Sequence, residues 1–150
     1  MTIDIDTTAE TAPGVFASRE ARRRRRLRRL GTIVLAALLA TAIWAVAVPI
    51  AGVTLVVGSG QSAQHVGPAS VAIVSFALGL VAWALLALLE RLGPAGRRTW
   101  QVAGLLVLIV SLAGPLAMGG ALPVLLTLEA MHLVVGVTVI LGLAHRPADA

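Results

Sequence analysis

Between Arg29 and Glu90 the sequence carries no Asp, Glu, Lys or Arg at all, and seven of the eight positions just before that stretch, 22–29, are arginine. A cationic knot abutting a long uncharged apolar run constrains the chain more than any other feature. About 20 apolar residues suffice to cross a hydrocarbon core of about 30 Å, and segments of that length recur four times. We expect spans at about 30–48, 69–89, 100–118 and 123–143. The fold class that follows is all-α: a four-helix transmembrane bundle, up-down-up-down. Residues 1–21 form a tail, its first 18 residues polar, Thr-rich and without sustained apolar periodicity, and so expected to be disordered. The membrane domain is 22–146, and 147–150 is a short polar end.

Composition agrees. Of 150 residues, 58% are hydrophobic and 13% charged, where a soluble domain is about half apolar and a quarter charged. The basic balance does not imply nucleic acid, because the arginines are confined to the ends of apolar runs. With no cysteine, thiol nucleophiles, disulfides and thiolate metal sites are excluded. A cleaved signal peptide is a rival reading of the first span, with Ala45-Val46-Ala47 as a small-x-small site. The run is long for a signal core, Pro49 crowds the cut, and further spans follow; an uncleaved span is preferred.

Arginine placement orients the chain. The N-terminal knot, the turn at 91–98 and Arg146 share one side of the expected topology, and the connections 49–68 and 119–123 carry none. Positively charged loops stay cytoplasmic, so both termini are expected inside, in a plasma membrane, with the 49–68 loop outside. Arg22, Arg23, Arg24, Arg25, Arg26, Arg28 and Arg29 read first as topology determinants and second as ligands of anionic lipid head groups. In the outer loop, Val53–Val57 suits a short strand, and the loop is a cap or a tether. Trp44 and Trp100 fit interfacial belts, with packing as the plain alternative, which is preferred for Trp83. Glu90 and Arg91 are expected to pair with Arg97 or Arg98.

Lipid gives helices no hydrophobic reason to associate, so small residues and polar contacts must hold them. Ala72, Ser75, Gly79 and Ala82 form such a stripe, and so do Ala36, Ala37, Ala40 and Thr41 on the first span and Gly104, Ser111 and Gly114 on the third. Span four holds the ionisable residues deepest in the apolar sequence, Glu129 and His132, three apart on one helical face with Gly136. At about 1.5 Å rise per residue, Glu129 lies roughly 10 Å and His132 roughly 15 Å below the outer surface. A bare charge there costs at least a few kcal/mol, so neutralisation, pairing or hydrogen bonding is required. Depth arithmetic sets Ser75 and Thr41 beside Glu129 and Ser111 beside His132. Pro115 takes the hydrogen bond away from the Ser111 carbonyl. A candidate polar cluster of Glu129, His132, Ser111 and Ser75 results.

Three readings of that cluster are open. It is a structural clamp locating the fourth helix, a proton-coupled or small-solute site, or a metal or haem ligand. The last is disfavoured: di-iron bundles use Glu-x-x-His on two helices with two further carboxylates, and one copy exists here. No cofactor is expected, and no hydrolase, phosphate-loop or zinc motif is present. The expected function is an accessory or structural membrane protein, with a small proton-coupled transporter as the alternative. The partners are the bilayer, anionic head groups and a second copy of the chain.

Several segments also bear a likeness. Val48-Pro49, Gly52–Val57, Val66-Gly67-Pro68, Trp83–Arg91, Ser111–Pro115 and Met131–Val135 together resemble a family of small four-span actinobacterial membrane proteins of unknown function, over roughly residues 25–146. The resemblance implies a four-helix integral membrane protein and no particular activity.

Overall fold

Ala, Arg, Glu and Leu are strong helix formers, and the arginine knot is built of them with little else. In a computed structural model, which describes residues 12–58, 63–93, 95–118 and 120–145, α1 accordingly runs unbroken through the knot, from Ala12 to Ala45. It begins inside the stretch expected to lack structure; residues 1–11 lie outside the described residues. Glu20 accepts from Arg24 at 2.8 Å, one turn on, the spacing that supports an exposed helix. At 34 residues α1 is about 51 Å long, so its basic first half projects beyond any hydrocarbon layer.

Pro49 ends the regular helix. It has no N–H to return to the preceding turn, and the ladder widens into a π-helical turn, Val46–Ile50, in which Ala51 donates five residues back to Val46 at 2.9 Å. Gly52, at φ +70°, reverses the chain. The connection between α1 and α2 then folds back on itself. β1 (Val56–Val57) pairs antiparallel with β2 (Gln64–His65), Val56 opposite His65. Leu55 is buried, the Val66 amide donates to its carbonyl at 2.9 Å, and the Trp44 indole donates to the Val66 carbonyl at 2.7 Å.

Pro68 opens α2 (Pro68–Leu89), which closes in a 3-10 turn, Glu90–Leu92. α3 (Ala95–Met118) starts five residues before the expected span, so Arg97 and Arg98 stand in its first turn. Gly96 permits this tight return, since a Cβ there would collide with the Leu89 carbonyl oxygen. Pro123 occupies the first turn of α4 (Leu122–Ala144), where its missing donor costs nothing.

Gly79 of α2 receives Ile33 of α1, Gly142 of α4 faces Thr32 of α1, and on the α3–α4 seam Gly104 faces Ile140 while Gly136 faces Leu108. Along the α3–α4 seam one number rises as the other falls, and the same holds from Ile33–Gly79 to Ala40–Val71 between α1 and α2 and from Thr32–Gly142 to Ala40–Met131 between α1 and α4, so these neighbours are antiparallel and the order is up-down-up-down. α1 packs along α2 and α4, and α3 along α4. On the expected α2 stripe, Ser75 and Gly79 are buried and Ala72 and Ala82 half-buried. Nothing lies within 4 Å of a Cβ placed on Gly114. One core joins Ile33, Ala36, Leu86, Trp100 and Leu143; a second joins Ala40, Val71 and Met131. Trp100 is therefore not a belt residue: it is 3% exposed, and its indole donates to the Ile140 carbonyl at 3.2 Å. A helix-facing carbonyl satisfies the indole N–H that water would satisfy at an interface.

All four helices are long and apolar enough to cross a membrane, yet only 17–22% of each one's most apolar stretch is buried inside the protein. The outward Leu, Val and Ile side chains, such as Leu38, Ile73, Val110 and Leu126, need an apolar surround. The chain is a multi-pass membrane protein.

Candidate functional site

Two polar regions break the apolar bundle. The first is the expected one on α4. The seam with α3 is fixed by Ile140 against Gly104 and Leu108 against Gly136. One turn farther along that antiparallel register, Leu112 comes level with His132 and Ser111 with Leu133. Two turns farther, Pro115, itself buried, comes level with Glu129. That register sets Ser111 within about one turn of His132 and two turns of Glu129 along the axis, and each of the three is half-buried.

Ser75 stands apart from them. Ala40, Val71 and Met131 mark one level of the bundle. Ser75 is four residues beyond Val71 along α2, and Glu129 two residues before Met131 along the parallel α4. Six residues of helix separate them, about 9 Å along the bundle. The sequence arithmetic erred because it counted each span from its own end. Here α2 starts deeper relative to α4 than equal ends would imply.

The hydrogen bonds in this region stay within single helices. The Ser111 hydroxyl donates to the Leu108 carbonyl at 2.7 Å, Thr41 to Ala37 at 2.8 Å and Thr127 to Pro123 at 2.7 Å. His132 Nδ1 lies 2.8 Å from the Leu128 carbonyl oxygen. A carbonyl only accepts, so Nδ1 carries the proton, and in the neutral ring Nε2 keeps its lone pair. Glu129 Oε1 is buried and has no hydrogen-bond partner. The α3 residue level with it is a proline, whose side chain has nothing to donate. An unpaired buried carboxyl oxygen in an apolar layer is costly; among the described residues it is the one fully buried side-chain polar atom of this region without a hydrogen-bond partner.

The second region is the arginine-rich end, expected from the sequence to set topology and meet anionic head groups, with Glu90 and Arg91 pairing with Arg97 or Arg98. Arg25 and Arg29 lie four apart on α1, hence on one face. Both donate through Nη2 to the same oxygen of Glu90 at the end of α2. Glu90 thus pairs with the first helix, where the sequence reading favoured Arg97 or Arg98. Arg97 reaches α4 and donates to the Ala144 carbonyl, and Arg28 donates to the His145 carbonyl. The last carbonyls of a helix have no intrahelical partner, and these two arginines cap them, with the charge sign its dipole favours. Arg22, Arg23, Arg24, Arg25 and Arg26 are exposed, whereas Arg28 is half-buried and Arg29 is 6% exposed.

Between these groups lies a cavity of about 470 Å³, lined by Arg25, Arg29, Leu86, Glu90, Arg97 and His145 among others. A second, open and apolar hollow of about 500 Å³ runs between α1 and α4, past Leu39, Ile43 and Val134. Neither is lined by Glu129 or His132. The sequence did hold a signal for the first: two arginines at i and i+4, ahead of a span whose far neighbour closes on a lone acid. Among the described residues, no three His, Cys, Asp or Glu side chains gather as a metal site.

A sequence-family model described as a family of unknown function (DUF6069) matches residues 20–149, and the chain belongs to that family. No curated protein matches the chain. No solved structure matches it.

Proposed function

We propose that this member of the family is an accessory or structural component of the plasma membrane, carrying no transport pathway of its own. The observation that supports it is where the polar side chains spend their hydrogen bonds. Thr41, Ser111, Thr127 and His132 all turn back onto carbonyls of their own helices, an arrangement that seals polar atoms away and lines no pathway. Glu129, His132 and Ser111 then act as a clamp on the α3–α4 seam. The test is a vesicle assay. Reconstituted protein should leave an imposed proton gradient to decay as slowly as in empty vesicles. Its Glu129→Gln and His132→Ala forms should change stability alone.

The partnerless Glu129 Oε1 favours a second reading, a small proton-coupled carrier that uses Glu129 and His132. Gradient decay sped up by the wild type and abolished by Glu129→Gln would replace the first reading with the second.

On arginine placement we put the arginine-bearing end in the cytoplasm, together with both termini, with its exposed arginines against anionic head groups. We extend the small, four-span, actinobacterial character of the resemblance to the chain on the same footing. Since the chain has no native cysteine, single cysteines at Gln64 and Ala95 report sidedness directly. An impermeant thiol reagent added outside intact cells should label the first and not the second. A second copy of the chain is the partner to look for in cross-linking within the bilayer.

A further inference from the structure

Among the described residues, nothing donates to Glu129. Its Oε1 is sealed inside the protein; its Oε2 is equally without a hydrogen-bond partner but is not sealed. The place of Glu129 on α4 accounts for the split. Gly136, seven residues on and so on nearly the same face, packs against Leu108 of α3. Leu133, four residues on, and Leu126, three residues before, are 50% and 57% exposed. Glu129 therefore stands at the lipid-facing margin of the α3–α4 seam, one oxygen turned in and the other toward the surface that meets lipid. The donors around it are spent. The Ser111 and Thr127 hydroxyls and His132 Nδ1 hold carbonyls of their own helices, and Nε2 of the neutral ring only accepts. Lipid tails carry no donor either. Ionisable side chains at membrane depth pair with something or face a water-filled space, and neither cavity described above is lined by Glu129.

We propose that this margin is a docking surface for a transmembrane helix of another protein, and that the incoming helix presents a lysine or arginine to Glu129. The requirement is charge complementarity in a layer of low dielectric. A serine or threonine would not meet it, because hydroxyls in this bundle return to carbonyls one turn back. An ammonium or guanidinium keeps several donors and makes a charge-assisted pair with a carboxyl oxygen. The apolar body of the helix lies over Leu126 and Leu133, and the long basic stem lets its head reach Glu129 from there. Glu129 is seven residues from the start of α4 at Leu122, about 10 Å, which fixes the depth at which the partner carries its cation. A second copy of this chain, inserted the same way round, does not supply it. Arg97, which holds the Ala144 carbonyl, marks the arginine-bearing end, about 22 Å from Glu129 along α4. The proposal rests on the accessory reading and names its partner by chemistry.

The test uses the full chain in phosphatidylcholine vesicles. The probe is a synthetic leucine–alanine transmembrane peptide with one lysine about seven residues from one end. Association is read by fluorescence energy transfer between labelled chain and labelled peptide, against the same peptide with norleucine in place of lysine. The lysine peptide should associate about tenfold or more tightly, the worth of one charge-assisted pair. Glu129→Gln should remove that advantage. Leu133→Trp, which crowds the margin, should weaken the lysine peptide; Val110→Trp, on an exposed face of α3 turned away from the seam, should not. Equal association of the two peptides overturns the proposal, and so does a lysine advantage that survives Glu129→Gln. The peptide comparison uses the wild-type chain, so it decides even if Glu129→Gln does not fold. A long-chain primary amine that binds through Glu129 while the lysine peptide does not would also overturn it, in favour of a small lipophilic ligand. The accessory reading fails separately, through gradient decay sped up by the wild type.

Discussion

Gly79→Ala is the sharpest probe of how the bundle holds together. An ideal Cβ at Gly79 would sit 2.6 Å from Ile33 Cγ2, 3.1 Å from Cγ1 and 3.3 Å from Cβ. Carbon atoms rest about 3.5–4.0 Å apart, so the new methyl overlaps by about 1 Å. Ile33 is fully buried, and its crowding atoms sit at the branch of the side chain. Neither a swing into lipid nor a bend of a long tip relieves the clash. Pushing Ile33 off its rotamer costs about 0.5–1.5 kcal/mol, and overpacking a tight core about 1–3 kcal/mol. Against this, alanine gains about 0.8–1.0 kcal/mol over glycine in a helix interior. The net expectation is a loss of about 0.5–2 kcal/mol. In an Ile33→Ala background the two Cγ atoms are gone and the remaining Cβ, at 3.3 Å, need give by only a few tenths of an ångström, so the helix preference dominates and Gly79→Ala should there stabilise by up to about 1 kcal/mol. The sign reversal amounts to a coupling of about 1.5–3 kcal/mol. It is measured by SDS-induced unfolding of the four proteins of the cycle in mixed micelles. Equal effects in both backgrounds, or stabilisation of the wild type by Gly79→Ala, would refute close α1–α2 contact at Gly79.

Other outcomes follow from single contacts. Trp44→Phe keeps the ring and loses its bond to the Val66 carbonyl, costing about 1 kcal/mol; hydrogen exchange at the Val66 amide should speed up while that of α2 does not. Glu90→Gln leaves the buried Arg29 without its carboxylate partner and should lower stability by about 1–3 kcal/mol, read as a lower midpoint of SDS-induced unfolding. Arg97→Ala removes the cap from the Ala144 carbonyl; water can replace it, so about 1 kcal/mol and faster exchange confined to the last turn of α4 are expected. Gly136→Leu forces a large side chain against Leu108 on the α3–α4 seam and should cost at least about 1–3 kcal/mol, with α3 the first helix to become protease-sensitive.

Much of the outline was legible because each part of it is local. Pro123 marked the start of α4, and Pro49 marked the end of regular helix in α1. The Ala-Ser-Gly stripe of α2 named its buried face through spacing alone. For the polar cluster, helical period put Glu129 and His132 on one face and the α3–α4 register sets Ser111 near their level, but counting each span from its own end put Ser75 at the wrong level. Trp100 shows the same limit, since a tryptophan near a span's end reads alike whether it faces head groups or a neighbouring helix. The arginine run was the most opaque. In a row of seven, nothing in the letters separates Arg29, buried against Glu90, from Arg22, exposed to solvent.

What the chain decides by itself is set by transfer between water and hydrocarbon, a property of each segment alone: four apolar stretches, their lengths, and a basic end that resists burial. Tertiary structure decided the rest, because it depends on how far one helix slides along another. That offset is fixed by Ile33 entering the notch at Gly79 and Leu108 the notch at Gly136. It sets which arginine meets Glu90 and which proline stands beside Glu129.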